Sequence, residues 1–568
     1  MKKLIDWGAA KMESDKRLNA KKDFKYQLIL LLPVVCLLLG ELFFFRNIIG
    51  SDLMAGDRGD ARLGMLIAEH WHRVFEGKEP VSQLNMFYPA QNTIAHSDMM
   101  LGYGIVHSLF RIIGFNMFES FKYTLILIHC AGTLSTYYLL RRKWKLQISW
   151  SMIGTTAFAF SNVYAFKFNH TQLNAMAFVP LLLIAVTALF QSFDKRRKRN
   201  RSAYAAILIF ALILYTSWYV AFFTLLFCSL FIVIFLIESY CKDGRKEFLS
   251  MIRNFFVELG WDVFKYILLA AAVVVPFIIL YIPILKMNGS RSYAEAAAYL
   301  PEFMDFFNVT TDNLLFGSFI QKMNLSNGET AEGYSLVFWL LFVYLAFFRK
   351  KDKCLFENYL MNRVCNCVIY AVLISFFTIL KLSSNGVSLW MFIYKFVPGA
   401  GAIRVVSRYL FFLTFPMSMI IAINGHKMSF RTTARTRHSY IVIGITLFLS
   451  NIYGNGINAH WNIAEEERFL NSVAQPPSNC DVFYIKDTSG NEELSYAYQL
   501  DALEIATRFG IKTINGYSDI NLEHWNGIRD VCSEKYESSV DHWIEYNGLV
   551  SVYSYDKATN VWEKKDEI

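Results

Sequence analysis

Eleven apolar segments, separated by short basic clusters, constrain this chain more than any other feature. They run over 26–45, 121–140, 149–168, 172–191, 203–217, 220–238, 264–285, 334–348, 364–381, 408–424 and 438–453. Most approach the roughly 20 residues that carry a helix across a bilayer core. A chain with this many cannot fold around one water-bounded core. The charge content agrees, at 18% where soluble chains carry about 25%. A soluble enzyme, a disordered chain and a disulfide scaffold are excluded. The predicted fold class is an all-α polytopic membrane protein.

Charge placement orients the spans. Lys2, Lys3, Lys11, Lys16, Arg17, Lys21, Lys22 and Lys25 precede the first apolar segment, so residues 1–25 are expected to be cytoplasmic. With eleven crossings, the clusters Arg141–Lys145, Lys195–Arg201, Lys242–Arg253, Arg349–Lys353 and Lys427–Arg437 all fall on that same side. The net charge of +9 therefore reports topology and gives no reason to expect nucleic acid. The apolar stretch Met99–Gly114 would break the pattern if it crossed. With His107 and Arg111 embedded in it, it reads as an outer surface or re-entrant helix. No cleavable signal peptide is expected.

The expected organisation is a transmembrane domain over 26–453, with outer loops 46–120, 286–333 and 382–407, and an extracytoplasmic tail over 454–568. The tail reads as a small α/β domain, with a helix at Leu500–Phe509 stopped by Gly510 and strands at Val482–Ile485 and Leu549–Tyr555. Cys480 and Cys532 lie in it, either paired or as separate thiols. The sequons at Asn169, Asn308 and Asn324 are close to chance in a chain this long.

Polar residues that could carry chemistry collect on the outer side. Asp57 and Asp60 stand just beyond the first span and open an amphipathic helix. One of them could cap that helix, act as general base on a hydroxyl, or help hold a divalent cation. Tyr88, His96 and Asp98 lie on the next loop, and Lys167, His170 and Gln172 on the turn between the third and fourth spans. Arg404 and Arg408, four apart, enter the tenth span from outside and would share one helix face. Planar guanidinium groups there suit a phosphate. Lys381 is a weaker candidate of that kind. Glu295 and Glu332 bracket the second outer loop and could orient a sugar hydroxyl. Glu41 is expected to reach the interface.

The stretches GDRGDARLGMLIAEHWHRVFEG, FYPAQNTIAHSD, HTQLNAMAFVPL, PGAGAIRVVSR and QLDALEIATRFGIKTINGYSD, in this order from Gly56 to Asp519, resemble those of GT-C-type glycosyltransferases, and more closely of bacterial YfhO-like multi-span proteins. The resemblance implies transfer of a sugar from a polyprenyl-phosphate carrier to a cell-surface polymer such as lipoteichoic acid. It implies too a cytoplasmic-side enzyme that loads the carrier. It places Asp60 at the family's first acidic position, as base or metal contact. Ala61 stands where a second acid is common, and Asp57 is its candidate substitute. In the tail it singles out Asn515, Gly516 and Tyr517 as a loop facing the site. The competing readings are a transporter or flippase of lipid-linked saccharide, a non-catalytic relative that scaffolds polymer assembly, and a ligase using diphosphate-linked donors.

Overall fold

A computed structural model describes residues 24–289, 291–325, 328–348, 359–428, 434–489, 494–519 and 522–565. The basic residues from Lys2 to Lys22 and the Arg349–Lys353 cluster lie outside the described residues. The chain is mostly helical, with two small sheets. Each of the eleven apolar segments is helical over at least part of its length. Among the described residues six helical stretches are long and apolar enough to cross a membrane: Met117–Lys143, Ile148–Gln191, Trp218–Leu259, Asp262–Met287, Asn362–Ile379 and Arg408–Met428. Gly244 (φ +80°) breaks the third of these, which leaves 245–259 as a separate arm carrying part of the Lys242–Arg253 cluster.

Arg408–Met428 is the hub, buried along almost its whole length. It packs against Ile148–Ala159, Leu336–Phe347, Tyr359–Ile379 and Trp218–Leu259. Two of these neighbours are short. Ile148–Ala159 and Leu336–Phe347 have 12 residues each. At 1.5 Å per residue each spans roughly 18 Å, well under a bilayer core of about 30 Å. Irregular backbone adjoins each of them. After Ala159 the chain runs through the short helix Asn162–Phe166 and the tight turns of Lys167–Phe178, broken at His170 (φ −106°, ψ 73°), before Val179–Gln191 resumes the α-helix. The third and fourth expected spans are therefore two short helices around a buried irregular segment. Before Leu336–Phe347, residues 328–335 are irregular as well, and 331–335 are buried. Such backbone is tolerated at depth only when protein or a polar cavity surrounds it. The two irregular segments meet, and their polar side chains meet with them.

Within Met99–Gly114 the helix Leu101–Ile112 forms. Ile105, Leu109 and Ile112 are exposed. On its other face His107 Nε2 and Arg111 Nε lie 2.8 and 2.9 Å from Glu69, in the helix Asp60–Phe75.

The tail has its expected helix, Ser495–Phe509, closed by Gly510 in the left-handed region. We number the strands β1 (Leu53–Met54), β2 (Trp461–Asn462), β3 (Val482–Lys486), β4 (Lys512–Thr513), β5 (Val552–Asp556) and β6 (Val561–Lys564). The larger sheet has the order β4-β3-β5-β6, with β3 parallel to both neighbours and β6 antiparallel to β5. Cys480 is buried, Cys532 is exposed, and no disulfide joins them. The tail does not hang free. β2 pairs with β1 of the first loop, and Asn458 N–H donates to the Ala165 carbonyl in the irregular segment.

Candidate functional site

The first loop reaches the irregular segment at Gly56. Its φ is +86°, and a Cβ there would stand 2.5 Å from the Phe168 carbonyl oxygen. That close approach sets Asp57 and Asp60 beside His170.

Asp57 and Asp60, three residues apart, do different work. Asp57 Oδ1 accepts from the backbone N–H groups of Gly59 and Ala61 at 3.0 and 3.2 Å, so Asp57, two residues before the N-cap Gly59, satisfies open N–H groups at the helix start. Burial and the Asp60 charge push its carboxyl up. Asp60 has a side chain 34% exposed. Its Oδ2 lies 2.7 Å from His170 Nδ1, and its Oδ1 accepts from the Tyr517 hydroxyl at 2.9 Å. Burial alone would raise the Asp60 carboxyl. The hydrogen bond and charge of His170, with Arg408 and Tyr517, instead hold it below the usual carboxylate range. Adjacent carboxyls pushed in opposite directions are a mark of a chemical site.

The network continues beyond His170. His170 Nε2 lies 2.8 Å from Glu329 Oε1, which also receives Arg408 Nη2 at 3.0 Å. Lys167 Nζ is 3.3 Å from Glu329 Oε2 and 2.7 Å from Glu332 Oε1. Burial would raise Glu329, but Arg408, His170 and Lys167 keep it well below its ordinary value. An imidazole between two carboxylates needs a proton on each nitrogen to bond both, and an imidazolium supplies them. Asp60, His170, Glu329 and Arg408 thus form one alternating chain of charge.

A second line closes the ring. Two residues after Tyr517, Asp519 Oδ2 lies 2.6 Å from Arg404 Nη1. Asp60 and Arg404 therefore sit at opposite ends of the tail segment 517–519. The two arginines, expected to act as a pair, take separate partners: Arg404 meets Asp519 and Arg408 meets Glu329. The helix begins at Arg408, so Arg404 precedes it and the two arginines do not share a helical face. Arg408 is buried against Glu329 with its guanidinium 4.8 Å from the Tyr219 ring centre. Arg404 is half-buried over Tyr299. Extended backbone after the Pro398–Gly401 turn holds them apart.

Other expected site residues lie elsewhere. Tyr88 packs on the tail: its carbonyl accepts from Trp543 Nε1 and its ring lies under Lys512. His96 is buried 5.4 Å from the Phe87 ring, and burial lowers it to about 4, so it is a neutral packing group. Asp98 accepts from Trp218 N–H at the start of the helix there, and burial pushes it up to about 6. Gln172 is half-buried and, among the described residues, makes no side-chain hydrogen bond to the network. Glu332 is fully buried on Lys167 and forms the wall behind Glu329. Asn515 points into the tail, where its side chain bonds Gln499, Tyr536 and Ile485 N–H. Of the expected tripeptide only Tyr517 faces the site, because Gly516 lies flat on Phe87. Glu295 pairs loosely with Arg291 at 3.7 Å, and Lys381 pairs with Glu302. Glu41 does not reach an interface. It is buried, bonded to His129 Nδ1 at 2.7 Å and to Thr133.

Sequence reasoning missed Glu329, Asp519 and Arg62. Glu329 lay three residues from Glu332 in the same loop, and Asp519 closed the last quoted stretch. Nothing local distinguished either one. Arg62 is fully buried, 2.6 to 3.0 Å from Glu504, Asp501 and Glu466. Arg58 joins Glu466 and Lys557 joins Asp501, so three cations meet three carboxylates where the tail docks on the first helix of the outer loop.

Asp57 and Asp60 do not form a ready cation cage. Asp57 has committed Oδ1 to backbone, and both Asp60 oxygens are engaged. Among the described residues no group of three or more His, Cys, Asp or Glu is arranged to hold a metal ion. No family model matches the chain, and a search of the curated proteins gives no match.

Proposed function

We propose that this chain is an integral-membrane glycosyltransferase, with eleven crossings, its N-terminus cytoplasmic and its tail outside. On this reading it moves a sugar from a polyprenyl-phosphate carrier to a cell-surface polymer. The observation that carries the proposal is the partly exposed carboxylate of Asp60, bonded directly to His170 and Tyr517 and joined through His170 to Glu329 and Arg408.

In the proposed reaction an acceptor hydroxyl approaches Asp60. Its oxygen forms a bond to the anomeric carbon, the bond from that carbon to the phosphate oxygen breaks, and the lipid phosphate leaves. The hydroxyl proton passes to the Asp60 carboxylate. Displacement from the face opposite the phosphate inverts the anomeric centre. His170, held by Glu329, fixes the orientation of Asp60 and keeps it ionised until the proton arrives.

The test is reconstitution of the purified chain with polyprenyl-phosphate sugar and a surface-polymer acceptor. Sugar transfer that disappears in Asp60→Asn at normal membrane level supports the reading. Transfer unchanged in that variant defeats it. One observation favours a second reading. The buried Glu41–His129 pair places ionisable groups among the helices, as a transporter of lipid-linked saccharide would. Movement of lipid-linked sugar across a vesicle with no transfer would select that alternative.

A further inference from the structure

Arg291 and Arg404 gather around one carboxylate, Asp519, that is more than half exposed. Asp519 Oδ2 lies 2.6 Å from Arg404 Nη1 and 3.7 Å from Arg291 Nη2. Arg291 has one other carboxylate near it, Glu295, also at 3.7 Å. The Asp519 side chain is 54% exposed. Arg404 is steadied by the Tyr299 ring, and its backbone N–H donates to the Tyr219 hydroxyl. Arg291 is tied by its carbonyl to the Tyr394 hydroxyl. Tyr394 belongs to the helix Trp390–Phe396, whose Met391, Phe392 and Phe396 are exposed. Arg291 follows the end of the apolar helix Asp262–Asn288, Arg404 precedes the start of Arg408–Met428, and the backbone of Arg291 is bonded to a helix that leaves apolar side chains uncovered.

We propose that Arg291 and Arg404 form a clamp for the phosphate of a membrane-embedded lipid, with Asp519 occupying it here as an internal stand-in. A carboxylate and a phosphate present the same kind of oxygens to a guanidinium. The segment 517–519 mimics both reactants at once. Tyr517 gives its hydroxyl to Asp60 as an acceptor would, and Asp519 gives its oxygens to the arginines as a donor phosphate would. The charge reading differs from the one the sequence suggested. The phosphate partner of Arg404 is Arg291, because Arg408 is committed to Glu329. The inference rests on the transferase reading for the role of the lipid, and on geometry alone for the clamp.

The experiment measures binding of sugar-free polyprenyl phosphate to the full chain in lipid nanodiscs, with inorganic phosphate as a second probe. A tethered competitor weakens the external ligand, so Asp519→Asn should tighten lipid binding by about ten-fold. Arg291→Ala and Arg404→Ala should weaken it by a similar factor, and Asp519→Glu should behave as the parent. Inorganic phosphate should follow the same order with lower affinity, since it lacks the apolar tail. Unchanged or weaker lipid binding in Asp519→Asn overturns the proposal, as does an Arg291→Ala variant that binds normally. Equal affinity for both probes overturns the lipid part. Because the probe carries no sugar, the two readings fail separately. Binding in the stated order without sugar transfer defeats only the enzyme, and transfer with Asp519→Asn binding unchanged defeats only the clamp.

Discussion

Asp60 and Arg62 stand two residues apart on one helix and meet opposite fates. Asp60 is one-third exposed, and its partners come from irregular loops of the helical domain and from one tail tyrosine. Arg62 is sealed, and its three carboxylate partners all come from the tail. Both are charged and both are tightly bonded. The difference teaches that charge alone marks neither a site nor a scaffold. What separates them is whether water, or a substrate, can still reach the atom.

The contrast can be broken most severely at Asp60. Asp60→Asn keeps shape and loses the basic oxygen, and sugar transfer should fall by about 10²- to 10⁴-fold, the usual worth of a positioned base. Reconstituted transfer at matched membrane level measures it, and a fall no larger than that of a neighbouring surface variant would return Asp60 to the scaffold. Arg62→Ala should do the reverse, with loss of stability rather than chemistry. Breaking one partner out of a buried ion cluster costs about 3–5 kcal/mol, and the tail should undock. Limited proteolysis of the tail and thermal melting read this directly, and an unchanged melt would mean that the cluster does not hold the tail.

A smaller effect is expected at His170. His170→Gln keeps some hydrogen bonding but removes the positive charge between Asp60 and Glu329. Transfer should drop by about ten-fold or more, and the acid limb of its pH profile should move up, because His170 is what lowers the Asp60 carboxyl. The parent's limb should lie below the ordinary carboxylate range. A variant with lower rate and an unmoved limb would leave His170 a packing role only. The smallest effect belongs to Asp98, pushed up to about 6. The folded protein holds that proton between about pH 4 and 6, where the unfolded chain has released it, so stability falls as pH rises through this window. The effect should be on the order of 1 kcal/mol. Melts from pH 4 to 7 should show a flatter curve in Asp98→Asn.

Much of the fold was legible because its signals are local. An apolar run announces a helix wherever its partners lie, and Gly510 stops the helix Ser495–Phe509 by its own backbone freedom. That one of Asp57 and Asp60 would serve the helix start was readable, since that needs only the next few N–H groups, but which one was not. The third and fourth spans were less so. The polar turn at Lys167–Gln172 was readable, but not that helix stops as early as Ala159 and resumes only at Val179, with short and tight turns between. The Arg404 and Arg408 spacing suggested one helical face, but spacing has that meaning only inside a helix, and the helix starts at Arg408.

By itself the sequence determined that this is a helical chain rich in membrane-length apolar segments, with acidic and basic groups held back at their ends. Those properties follow from hydropathy and backbone preference, which act over a few residues. Tertiary structure alone decided which charges became partners. Asp60 with His170, Glu329 with Arg408, and Arg62 with Glu466, Asp501 and Glu504 are separated by tens to hundreds of positions. An ion pair is a matter of a few ångströms and of how much water remains between, and neither quantity is written along the chain.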